Sequence, residues 1–282
     1  MATRGPEGQH IISAGEVGAF SVCPLSWKLK WIDREDTKIE SSVELGKQLH
    51  KSWSILFEES LLLTKWIRYL AVLLCSAGVF FLLIQSPKER LDDIFFVSVQ
   101  SHGLQLVVLM AASLLVMRSF FKAARRRHRD SGFALSEIAV AIEGSSILPS
   151  REYISVKQGL AGKPDAILRE GDFILPVERK PLAKKLRDRY VAQLLVYMRL
   201  VEEFEGVRPP HGYLLLGENC RRVKIENQER KQQWVTSLLS DMRRILNGSP
   251  AKPQPHPSKC RKCDVRHRCS ARVDERPPGT PG

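Results

Sequence analysis

Residues 69–86 and 94–117 contain no Asp, Glu, Lys or Arg. Each stretch is therefore close to the roughly 20 apolar residues that carry a helix across a bilayer. Only Pro87 to Asp93 separates them, and that loop is slightly acidic. Lys65 and Arg68 precede the first stretch, while Arg118, Lys122, Arg125, Arg126, Arg127 and Arg129 follow the second. By the positive-inside rule both outer flanks face the cytoplasm and the loop faces out. The alternative is a helical hairpin buried in a soluble core. Because two spans return the chain to the side it left, residues before and after the pair can still build one folded unit.

Charge narrows the partners. Lys and Arg total 44 of 282 residues against 31 acids, a formal charge of +13. Such a surface suits nucleic acid or an anionic lipid surface, or serves solubility alone. Six cysteines are too few and too unevenly placed for a secreted disulfide framework, and the first residues lack a secretory-signal layout, so a reducing cytoplasm is expected. Cys260, Cys263 and Cys269 crowd together, whereas Cys23, Cys75 and Cys220 stand alone.

Outside the apolar pair the pattern is mixed α/β. A helix start is expected at Ser13, with a break at Cys23-Pro24. A second helix runs from Glu44 to about Leu63, with Leu45, Leu49, Trp53 and Leu56 on one face and His50 inside it. Strands are expected at 153–156, 166–168, 173–178, 212–216 and 222–225. Helices are expected from Ala183 to Phe204 and on a face formed by Trp234, Leu238, Met242 and Ile245. Residues 250–257 form a proline-rich linker, and the last dozen residues read as disordered.

The chemistry-bearing residues fall on the expected hairpin. Pro164-Asp165 opens one strand, and Glu178-Arg179-Lys180 ends the next after a tight Gly171-Asp172 turn. Glu178 and Lys180 are two apart and project to one face, where the hairpin can bring Asp165. Two carboxylates suit a hard divalent cation, which lowers the pKa of bound water and neutralises phosphoryl charge; a lysine beside them stabilises developing charge. Glu-x-Lys alone is a common surface triplet. Arg189, Gln193 and Tyr197, spaced by four on the following helix, add weight because they line one side.

The ordered set His50, Pro164-Asp165, Glu178-Arg179-Lys180 and Gln193-x-x-x-Tyr197 resembles the RecB-like nuclease motifs of the PD-(D/E)xK superfamily. That resemblance implies a restriction-endonuclease-like mixed sheet flanked by helices. It also implies magnesium or manganese held by His50, Asp165, Glu178 and the carbonyl of Arg179, with Asp165, Glu178 and Lys180 catalytic, and Arg189, Gln193 and Tyr197 on the DNA-contacting side. Cys260-x-x-Cys263 with Cys269 supplies three thiolates, and Cys23 is the candidate fourth. By spacing, zinc serves nearly as well as iron. The division of one cysteine before the motifs and three after is similar to iron-sulfur RecB-like exonucleases, including the CRISPR-associated exonuclease family, and that likeness implies a 4Fe-4S cluster.

The resulting map is an N-terminal tail (1–10), a helical part with the first cluster cysteine (11–65), a transmembrane hairpin (66–117) and a basic connector (118–149). A nuclease core (150–249), a cysteine cluster (250–270) and a tail (271–282) follow. The expected protein is a membrane-anchored exonuclease facing the cytoplasm and acting on single-stranded DNA or DNA ends, with CRISPR adaptation proteins as candidate partners. The competing expectation is a non-catalytic, membrane-anchored binding protein with a structural cysteine-metal site.

Overall fold

A computed structural model describes residues 10–34, 41–84, 93–133 and 137–273, which divide into two units, 1–54 with 136–282 and 55–135. In the first unit the chain opens with strand β1 (Ile12–Ser13) and helix α1 (Ala14–Phe20). Ser13 caps α1 as expected: its Oγ accepts the Glu16 amide at 3.2 Å, and Glu16 Oε2 accepts the Ser13 amide at 2.8 Å. Pro24 ends that run by opening a separate turn, α2 (Pro24–Trp27), because a proline carries no amide for a continuing helix but fits the first helical position.

Helix α3 (Ser41–Ile84) and helix α4 (Asp93–Asp130) come next, followed by β2 (Ile138–Ile142), β3 (Tyr153–Ser155), β4 (Leu160–Gly162), β5 (Ala166–Glu170) and β6 (Phe173–Lys180). After α5 (Asp188–Glu205) come β7 (His211–Leu216), β8 (Arg221–Glu226), α6 (Glu229–Leu246) and α7 (Pro257–Arg261). The main sheet has the order β2-β5-β6-β7-β8, and a smaller one has the order β1-β4-β3. β5 and β6 form the expected antiparallel hairpin, β6 and β7 run parallel with α5 as the crossover, and β7 and β8 are antiparallel. The mixed α/β class read from the sequence is borne out.

β6 is buried along nearly all its length, as a central strand must be. The core gathers α5 residues Leu194, Leu195, Met198 and Leu200 with Val17 and Phe20 of α1 and Val235 and Met242 of α6. Three local readings shift. α5 begins at Asp188 rather than Ala183, because the Lys180 carbonyl accepts the amides of Ala183 and Gly217 and holds 181–187 as a loop. On α6 the buried face is Val235, Leu239, Met242 and Ile245, with Trp234 and Leu238 at its margin, since the apolar stripe is wider than four residues. β2 lies inside the stretch read as a connector, at an edge of the sheet, where its outward Ile138 and Val140 obscure a half-buried strand pattern.

In the 55–135 unit the chain is helical, and α3 continues past Leu63, where the sequence reading ended its second helix. Trp53 and Phe57 are buried, whereas Leu45 is exposed. Segments Glu44–Phe80 and Val107–Asp130 are long and apolar enough to cross a membrane, with mean hydropathies of 1.4 and 1.7. Little of their most apolar stretch is covered by the chain, 0% and 6%.

Candidate active site

The β5–β6 hairpin brings the acidic residues together. Its register pairs Ala166 with Val177, so Asp165, one residue earlier, stands opposite Glu178. Both carboxylates are buried, at 6% and 3% exposure. Asp165 Oδ2 accepts the Arg179 backbone N–H at 2.6 Å, and Lys180 Nζ donates to Glu178 Oε1. From α3, His50 places Nδ1 3.8 Å from Asp165 Oδ1, too far for a hydrogen bond.

Only three buried side-chain polar atoms among the described residues lack a hydrogen-bond partner, and two of them, His50 Nδ1 and Glu178 Oε2, belong to this cluster. Buried acceptors without donors cost free energy, so their pairing here calls for a positive partner. The donor set of one imidazole and two carboxylates fits a hard divalent cation. As they stand, no three His, Cys, Asp or Glu side chains among the described residues form a ready-made metal-holding group. Lys180 takes Glu178 Oε1, and the Arg179 amide takes Asp165 Oδ2.

Electrostatics agree with a site built to hold positive charge. Burial, then the charges of Arg179 and Lys180, lower the His50 pKa from 6.5 to about 4, which leaves the imidazole neutral and able to ligate near neutral pH. Burial and the neighbouring Glu178 push Asp165 well above the usual carboxylate range, against the pull of Lys180 and the Arg179 amide. Burial would lower Lys180, but Glu178 and Asp165 outweigh it and raise it, so the ammonium is retained. Tyr197 is raised well above its ordinary value by burial and then by the same two carboxylates.

The three expected DNA-side residues separate. Arg189 is exposed and Gln193 half-buried, but Tyr197 is core at 4% exposure, its hydroxyl accepting Gln193 Nε2 at 2.8 Å. Gly162 of β4 makes room for that ring, since a Cβ there would lie 2.7 Å from two Tyr197 ring carbons. Gly162→Ala should destabilise the fold by about 1–3 kcal/mol in a denaturant melt, because the buried ring cannot swing away.

Two residues escape sequence reasoning. Glu143, just after β2, donates its amide to the Asp165 carbonyl at 2.7 Å, and its carboxylate bears on both Asp165 and His50. Arg179 was expected to matter only through its carbonyl, yet its side chain is buried at 4% exposure. Its Nη1 donates to the Leu49 carbonyl at 2.7 Å, its Nε to Cys220 Sγ at 3.4 Å, and its guanidinium lies 5.5 Å from the Trp53 ring centre. The alternating strand pattern marks it as pointing away from Glu178 and Lys180, but its destination depends on α3, 130 residues earlier. Arg179→Met should cost roughly 3 kcal/mol of stability by removing the guanidinium's bonds to the Leu49 carbonyl and Cys220 Sγ and its contact with the Trp53 ring. Chemical denaturation checks this.

At the other end of the fold the first and last segments meet. Ser26 Oγ lies 3.4 Å from Cys263 Sγ, Gln254 N–H donates to Cys23 Sγ at 3.5 Å, Lys259 Nζ reaches the Val22 carbonyl at 3.4 Å, and Lys30 pairs with Asp264. Burial raises the Cys269 thiol, and Cys263, Cys23 and Cys260 add to the rise, so these four sulfurs share one neighbourhood. All six cysteines are free of disulfides. Cys75 is exposed, and Cys220 is buried against Arg179 rather than packed only against apolar groups.

A stretch of 113 residues, 39% of this chain, is 28% identical to the CRISPR-associated exonuclease Cas4 of Thermoproteus tenax and spans 60% of that protein's length. The crystal structure of SSO0001 aligns with 62% of this chain and 78% of that one at 15% identity, with a TM-score of 0.31, too loose to bear on the fold. Residues 11–270 match the PD-(D/E)XK nuclease superfamily, a span holding both carboxylates, Lys180, His50 and the four clustered cysteines. By that match, this chain belongs to the PD-(D/E)XK nuclease superfamily.

Proposed function

We propose that the chain is a membrane-anchored, divalent-metal-dependent exonuclease that cuts phosphodiester bonds in single-stranded DNA or at DNA ends. The observation that carries this reading is the convergence of His50, Asp165 and Glu178, with two buried acceptors left unpartnered. Magnesium or manganese would be held by His50, Asp165, Glu178 and the Arg179 carbonyl. When bound, such an ion supplies an acidified water and neutralises charge on the phosphate. Lys180 holds its proton beside Glu178 and stabilises the charge that develops on the phosphoryl oxygens. Arg189, with the exposed Lys184, Lys185 and Arg187 of the preceding loop, presents cations to the DNA backbone. Gln193 lies one turn after Arg189 and donates to the Tyr197 hydroxyl, and Tyr197 backs Glu178 from within the core.

The neighbourhood of Cys23, Cys260, Cys263 and Cys269 supports a 4Fe-4S cluster that ties the chain ends, with zinc as the second choice. The uncovered apolar length of α3 and α4 supports a two-span anchor, with the nuclease on the cytoplasmic side. The likeness to the CRISPR-associated exonuclease of Thermoproteus tenax supports a setting among CRISPR adaptation proteins, with DNA repair or defence as the other settings.

Purified full-length chain should degrade end-labelled DNA with manganese and stop on addition of chelator. DNA that is bound but never cut, with or without manganese, would instead establish a binding protein.

A further inference from the structure

Within the 55–135 unit, α3 and α4 run antiparallel as neighbours. Arg127 Nη1 lies 3.0 Å from Glu59 Oε2, the Phe57 and Phe133 rings meet edge to face at 5.5 Å, and a Cβ on Gly78 would lie 3.8 Å from Met110. That pairing brings Lys65 and Arg68 level with Arg118 and Lys122. Aromatic rings gather at the same height. Trp66 is 65% exposed and stands edge to face with the exposed Tyr69, centroids 6.2 Å apart, while Lys65 Nζ lies 5.8 Å from the Tyr69 ring. Across from them Phe120 and Phe121 are exposed, with the Arg125 guanidinium 5.5 Å from the Phe121 ring.

On one side of this belt the exposed side chains are apolar, including Leu73, Phe80, Leu109 and Leu115. From the belt to its other side, Arg118 to Arg129 holds six basic residues and no acid. Arg118, Lys122, Arg125 and Arg129 recur at helical spacing and form one exposed stripe. Glu59 neutralises Arg127, which is not part of it.

We infer that the level of Trp66, Tyr69, Phe120 and Phe121 is a membrane–water boundary, and that the Arg118/Lys122/Arg125/Arg129 stripe binds the phosphate headgroups of anionic lipids just outside it. The inference rests on the anchor reading and adds a lipid selectivity to it. The amphipathic rings of Trp66 and Tyr69 settle at headgroup depth, and cations beside them meet a negative lipid surface. A DNA-binding stripe would need cations too, but not an aromatic belt continuous with a long apolar face.

The test uses full-length protein in nanodiscs containing either brominated phosphatidylglycerol or brominated phosphatidylcholine, with Trp66→Phe identifying the Trp66 signal. The apparent quenching constant of Trp66 should be about fivefold larger for the anionic lipid, and the ratio should fall to near one when all four stripe residues become Gln. Equal quenching by both lipids, or a preference that survives the four substitutions, overturns the lipid stripe while leaving the anchor standing. Quenching by neither lipid overturns the anchor and the stripe together. Loss of the preference on adding short duplex DNA would assign the stripe to nucleic acid instead.

Discussion

Asp165→Asn is expected to lower manganese-dependent DNA cleavage by about a thousandfold or more while the protein remains folded. Asparagine keeps an oxygen for the Arg179 N–H, so the hairpin contact at 2.6 Å survives and only the negative charge is removed. The same substitution should make the metal-free protein more stable at neutral pH. The sign follows from the raised pKa: a carboxyl pushed up on folding binds its proton more tightly in the folded chain, so stability is lost as pH rises above the ordinary carboxylate range. A neutral isostere escapes that loss. Added manganese should raise the melting temperature of the unaltered protein and not that of the variant. A destabilised variant with intact cleavage would mean that Asp165 is structural. Glu178→Gln should behave alike in activity, because Glu178 carries the cluster's one orphaned carboxylate oxygen.

Cys23→Ser should have the second large effect, on integrity rather than chemistry. Cys23 stands at the N-cap position of α2 and its Sγ accepts the Gln254 N–H, while Ser26 of the same turn touches Cys263. A bound structural metal in a four-thiolate site contributes roughly 10 kcal/mol to the fold that assembles it, so loss of one ligand should be felt by the whole unit. The expected result is loss of visible iron-sulfide absorbance, a strongly lowered melting temperature and protease sensitivity after residue 250. Cys75→Ser, at an exposed position on α3, should change none of these. A colourless, zinc-loaded protein with the same Cys23 dependence would replace iron with zinc and keep the clasp.

How much of this was legible beforehand follows from where the determining contacts lie. The Ser13–Glu16 capping box, the Pro24 break and the Gly171-Asp172 turn are written within a few residues, and each appears where local chemistry puts it. The alternation of Glu178 and Lys180 on one strand is equally local, and it fixes which face carries the acids. The strand β2 was hidden because both its neighbours in sequence are charged and its outer residues are apolar. Tyr197 could be placed on one side of α5 by spacing, but its burial is decided by Gly162, 35 residues away, which leaves a hole the ring fills. The Arg179 side chain shows the same limit more sharply. In sequence it reads as a charge between two catalytic candidates. In the fold it ties the strand bearing Glu178 to the helix bearing His50, by way of a main-chain carbonyl and an indole that no local pattern could name.

The most direct test of the site itself is calorimetric titration of manganese into the full-length protein at neutral pH. Binding that weakens at least tenfold in each of His50→Ala, Asp165→Asn and Glu178→Gln is the expected result. Manganese affinity unchanged in all three variants would contradict the convergence of these groups on one cation.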